Sequence, residues 1–137
     1  MDQEGQIRRK DLVHADLSYR VVGILFEVFN ELGYGHLERV YQRAIAELMR
    51  KLDLHFQEQV RYTIQLKNRP IASYVLDFLI EGKVVLELKR GARYMRKDIE
   101  QVYAYLRASD LQLGILATFT SQGVAYKRIV NIEHPHS

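Results

Sequence analysis

Apolar positions recur along the chain at two different periods, and the change of period divides it. Val21, Val22, Leu25, Val28, Phe29 and Leu32 fall at helical spacing, with Asp16 as N-cap and Gly33 as the stop. Leu37, Val40, Tyr41, Ala44, Ile45, Leu48, Met49 and Leu52 predict a second amphipathic helix ending near Asp53. From about Phe56 the period falls to two: Val60, Tyr62, Ile64 and Leu66 alternate with Arg61, Thr63 and Gln65, as on a half-buried strand. Lys67 to Pro70 reads as a turn, Ile71 to Ile80 as a second strand, Glu81-Gly82-Lys83 as a tight turn and Val84 to Lys89 as a third strand. Such short turns imply an antiparallel meander. A helix from roughly Lys97 to Ala108 follows, then an apolar strand from Leu111 to Phe119, a turn at Thr120 to Gly123 and a last strand from Val124 to Ile132. The order α-α-β-β-β-α-β-β predicts an α/β domain over residues 16–132, between a loose arm (1–15) and a disordered tail (133–137). The Lys97 helix can serve as a parallel crossover from the third strand to the fourth.

Composition narrows this picture. A chain of 137 residues with 47% hydrophobic content can bury one core. The longest apolar run, Val21 to Phe29, contains Gly23 and Glu27 and is too short to span a membrane, and the polar start resembles no secretion signal. A cytoplasmic protein with no membrane partner is the expectation. Without cysteine, a metal would have to sit on carboxylates, histidines or carbonyls. A net charge of +3 is a mild bias. Its distribution says more: Lys89, Arg90, Arg93, Arg96 and Lys97 cluster with no acid among them, around Tyr94. Such a cluster is either a solvated loop or a surface for phosphates.

The candidate chemistry lies on the second hairpin. Glu87 and Lys89 are two apart and share a strand face. Asp77 and Glu87 stand equally far from Gly82 at the turn, so pairing sets them opposite one another. Two carboxylates one strand spacing apart repel unless a cation lies between them, and a hard ion such as Mg²⁺, with Mn²⁺ as substitute, suits such oxygen donors. Lys89 could then position or deprotonate a water, or hold an anionic transition state. The plainer alternative is a solvent-facing Glu87–Lys89 ion pair. Against it, Asp77 interrupts the apolar run Tyr74 to Ile80 and Glu87 follows Val84-Val85-Leu86, where an unpaired acid is costly.

Asp77, nine intervening residues, then Glu87-Leu88-Lys89 resembles the D…(D/E)-x-K signature of the PD-(D/E)XK nuclease superfamily, with Leu76 in place of its proline. Gly35-His36-Leu37-Glu38-Arg39-Val40-Tyr41 resembles the element that names the GxxExxY branch, and Gln101 to Tyr105 the Q-x-x-x-Y element of RecB-type exonucleases. Leu111 to Leu116 is similar to the segment that follows in GxxExxY proteins, although Thr118 stands before Phe119 where that branch often has Asn.

The resemblance implies a restriction-endonuclease-like core, a central mixed β-sheet flanked by helices. It implies a metal-dependent nuclease hydrolysing phosphodiesters, with DNA as the expected substrate. It also implies that Glu38 joins Asp77 and Glu87 around the metal. On its own Glu38 is an acid in the first turn of a helix, where the dipole favours it. Gln101 and Tyr105, one helical turn apart, either reach a substrate phosphate or order Lys89, or else form a helix face that packs Tyr105 on the sheet with Gln101 at its edge. Tyr41 falls on its helix's apolar stripe and reads as core. Arg90, Arg93, Arg96 and Lys97 would lie at the mouth of the site, with Tyr94 stacking on a base. A homodimer or protein partner fits so small a domain. The alternative function is a non-catalytic nucleic-acid-binding or regulatory protein on the same scaffold.

Overall fold

The computed structural model describes residues 13–89, 91 and 93–132. Most of the arm, the tail and Arg90 therefore lie outside the described residues. The elements are α1 (Ala15–Leu32), α2 (Glu38–Lys51), β1 (Phe56–Leu66), β2 (Arg69–Ile80), β3 (Val84–Lys89), α3 (Arg96–Ser109), β4 (Leu113–Thr120) and β5 (Gly123–Val130). Helix α1 ends as its sequence implies: Gly33 takes a φ of 73° and its N–H closes on the Phe29 carbonyl. Its start differs. His14 is the cap, and Asp16 sits inside the first turn, where its charge faces the positive end of the helix dipole.

The five strands lie in sequence order, β1-β2-β3-β4-β5. β3 and β4 are parallel, joined across α3, and every other neighbour is antiparallel. This mixed sheet flanked by helices, in the order α-α-β-β-β-α-β-β, is a restriction-endonuclease-like core. The β1–β2 turn is tighter than the four residues expected. Lys67 and Asn68 alone make it, with φ of 50° and 68°, a hand that matches strand twist. Arg69 and Pro70 already belong to β2, and Pro70 is accommodated where the register shifts after Ile64. Ser121 and Gln122 likewise make the whole β4–β5 turn.

The sheet has two differently covered faces. Val84, Leu86 and Leu88 of β3 point to α1 and α2, where they meet Leu25, Ile45 and Met49. Val85 points to α3 and packs with Val102, Tyr105 and Leu106. By alternation Glu87 and Lys89 share that second face. Helix α3 approaches closely because Gly114 of β4 has no side chain; a Cβ there would lie 2.7 Å from Val102 Cγ1.

Candidate active site

The site forms where the sheet forks. β2 and β3 pair from Ile80↔Val84 to Phe78↔Leu86, and the next positions are Asp77 and Glu87. There side chains take over from the backbone ladder. The Asp77 N–H donates to Glu87 Oε1 at 3.0 Å, and the Leu88 N–H donates to Asp77 Oδ2 at 2.7 Å. Beyond this point β2 continues with β1 and β3 with β4, as two prongs. Strand alternation also breaks here. Leu76, Asp77 and Phe78 are all buried, Leu76 with the α3-side core and Phe78 with the other, so Asp77 lies edge-on in the crotch of the fork. On the far side of Asp77, Gln59 adopts a left-handed φ of 52°, between the Glu58–Phe78 and Val60–Leu76 pairs. Its amide reaches Asp77 Oδ1 at 3.4 Å.

Burial, and then the neighbouring Asp77, push the Glu87 carboxyl up to about 8. Asp77 is raised too, chiefly by burial. The two carboxyls also hydrogen-bond to each other, so in the metal-free protein the pair holds a shared proton well above the usual carboxylate range. This donor set fits a hard divalent cation. Two carboxyls in contact, each held back from ionising by burial, are relieved by a charge of two, and Mg²⁺ commonly takes one or two carboxylates with water and phosphate oxygens.

Lys89 lies on the same face, its Nζ 3.6 Å from Asp98 Oδ1. Asp98 also caps α3, its Oδ2 accepting the Met95 N–H at 2.8 Å. Sequence reasoning missed Asp98, although an acid at the third position of a helix directly after a run of cations was a signal for it. It missed Gln59 as well, for which the sequence carried none. Gln101 is exposed at the rim of a small cleft between β2 and α3, which Glu87, Lys89, Asp98 and Tyr105 also line. Tyr105 is buried at its floor with its ring edge-on to Tyr62.

Glu38 stands elsewhere. It opens α2 and lines a separate cavity of about 280 Å³ with His36, Tyr41, Leu88 and Lys89. Among the described residues no three carboxylates or imidazoles stand close enough together to form a ready metal cluster. The Glu38 cavity and the Glu87 cleft meet at Lys89, which lines both. Tyr41 is core, as its stripe implied. It stacks on Phe119 with centroids 4.2 Å apart, and its hydroxyl donates to the Gly33 carbonyl at 2.6 Å, pinning the loop that carries Gly35. The buried Thr118 acts locally, donating from Oγ1 to the Gly91 carbonyl at 2.9 Å and tying β4 to the loop after Lys89.

Of the basic segment, Arg93, Arg96 and Lys97 are exposed, and Arg96 pairs with Glu100 at 3.3 Å. Tyr94 is half-buried: it packs against the α3-side core and its hydroxyl donates to the Tyr126 carbonyl at 3.2 Å. Arg90 lies outside the described residues. Among the described residues no helix is long and apolar enough to cross a membrane.

A family model described as the PD-(D/E)XK nuclease superfamily matches residues 15–129. Among solved structures the chain is similar to one titled "Crystal structure of SSO0001", at 15% identity and a TM-score of 0.54 over 70% of this chain. The match spans half the length of that protein, and at this identity it shows a shared fold. No curated protein matches the chain. With the family model spanning all of the described elements up to the last strand, the chain belongs to the PD-(D/E)XK nuclease superfamily.

Proposed function

We propose that this chain is a metal-dependent nuclease of the GxxExxY branch, with residues 16–132 as its catalytic domain and DNA as its substrate. The observation that carries the reading is the pair of buried Asp77 and half-buried Glu87 filling the fork, with Lys89 beside it on the same strand face. Asp77 and Glu87 would hold Mg²⁺, or Mn²⁺ in its place. When bound, such an ion supplies charge to a phosphoryl oxygen and lowers the pKa of water.

The chain's own residues do the rest. Lys89 offers N–H donors to a water or to a non-bridging phosphate oxygen, and Asp98 holds its ammonium in position. Gln101 at the rim is placed to meet a phosphate, while Tyr105 keeps water from the cleft floor. Arg93, Arg96 and Lys97 offer cations to the flanking backbone. Glu38 reaches the site, on this reading, only from the neighbouring cavity that shares Lys89.

The test is Mg²⁺- and Mn²⁺-dependent cleavage of circular single strands, linear duplex, branched DNA and RNA, with Lys89→Ala as control. Cleavage reduced about 10²- to 10³-fold in the variant is expected. No cleavage of any substrate, with no metal binding by calorimetry, would replace this reading with a binding protein on a nuclease scaffold.

A further inference from the structure

The first prong of the fork has properties that the cleavage site does not use. Tyr62 fastens the β1–β2 ribbon to α3, through its ring edge on Tyr105 and its hydroxyl on the Ala108 carbonyl at 2.8 Å. Beyond Tyr62 and its partner Tyr74, residues 63–73 are exposed except for a half-buried Ile64. Each arm there runs four to five residues, which is about 15 Å of projecting ribbon. From Gln59 to Leu76 the sequence holds three cations, Arg61, Lys67 and Arg69, and no acid. Leu66 and Ile71 near the tip are 60% and 62% exposed. A ribbon with apolar side chains so open to water, and charge of one sign only, is built for a surface that is both anionic and locally apolar.

Position adds to composition. β2 runs toward its turn while β3 runs away from it, so the ribbon leaves the sheet at the same end as Lys89 and the basic segment. A polyanion lying in the fork would meet the ribbon on one side and Arg93 to Lys97 on the other.

We infer that the β1–β2 ribbon is a second nucleic-acid contact that enters a groove of a double-stranded substrate beside the cut site. The inference rests on the nuclease reading and adds to it the substrate class, a duplex. The major groove is about 12 Å wide and admits a two-stranded ribbon. Lys67 and Arg69 meet phosphates along its walls, and Leu66 and Ile71 meet thymine methyls and base edges.

The experiment compares the parent with Lys67→Ser/Arg69→Ser. Fluorescence anisotropy follows a short duplex and one of its single strands across a salt series, with sedimentation run alongside. Two lost phosphate contacts should make the duplex log–log salt slope shallower by about two. Single-strand binding should be unchanged, and cleavage of duplex should weaken through KM with kcat retained. An unchanged duplex slope, or an equal change on the single strand, overturns the ribbon's groove contact and leaves the nuclease reading standing. A shift in oligomeric state in the variant overturns it in favour of contact between copies of the chain. A parent that binds no nucleic acid overturns both readings together.

Discussion

The two faces of the sheet solve the same packing problem with different materials. On one face, α1 and α2 cover β2 to β4 with Val21, Leu25, Ile45, Met49, Phe78 and Leu86 among others, a mainly apolar core into which α1 brings the buried Ser18 hydroxyl as an acceptor for Arg128. On the other face, among the described residues, α3 is the only helix that packs on the sheet, and Glu87, Lys89 and Asp98 lie between the two. A cover one helix wide leaves a cleft open at its rim. Charged groups there are shielded enough to perturb one another and still reach the surface at the cleft's rim. The larger share of the apolar core lies under α1 and α2, and the carboxyl pair lies under α3.

The sharpest way to break that contrast is to cut into the closed face. Ile45 is fully buried on α2, away from the fork. Ile45→Ala should cost about 2–5 kcal/mol in urea unfolding. A loss below about 1 kcal/mol would show that this face does not carry the stability assigned to it.

The open face should respond with the opposite sign. The Glu87 carboxyl is raised from 4.5 to about 8 by burial and by Asp77, with Lys89 and Asp98 as the other charges facing the cleft. A folded-state value above the unfolded one stabilises the protein fully below about 4.5, and that contribution is lost as pH rises through about 8. Asp77 shifts in the same direction. Metal-free protein should therefore lose stability across this window, and Glu87→Gln should flatten the loss. Mn²⁺ should restore stability to the parent increasingly as pH rises, because binding expels the shared proton. If parent and Glu87→Gln give superimposable profiles of unfolding free energy against pH, the carboxyl pair is not the strained element of this face.

Much of this arrangement was legible in the chain. Helical spacing marked α1 and α2 and a period of two marked β1, because each buries one face, whereas β4 read as an unbroken apolar run because both its faces are covered. The opposition of Asp77 and Glu87 followed from a turn centred on Gly82, since hairpin register is fixed by its turn. What escaped depends on three dimensions. Alternation alone would not show that β2 and β3 separate at Asp77, because the fork is made by side chains displacing ladder bonds. Glu38 could be grouped with the acids but not placed, since its distance from them depends on which sheet face α2 covers. Tyr94 could be grouped with the cations but its partners could not be read, since the Tyr126 carbonyl that its hydroxyl meets lies 32 residues away on another strand.

Asp98 offers the finest cut, because it belongs to both regimes at once. One oxygen caps α3 at the Met95 N–H, a structural role, and the other faces Lys89, a chemical one. Asp98→Asn keeps an acceptor for the cap and removes the charge beside Lys89. It should leave unfolding nearly unchanged and lower kcat about 10- to 100-fold with KM retained, the scale of a lost supporting contact. Asp98→Ala should add about 1 kcal/mol of destabilisation to that same kinetic loss, as the cap goes too. If Asp98→Asn cleaves as the parent does while Asp98→Ala only unfolds more easily, Asp98 is a cap alone and Lys89 needs no partner to be held in place. If instead both variants lose kcat equally and only the second loses stability, one residue joins the packing of the helix to the placement of the ammonium.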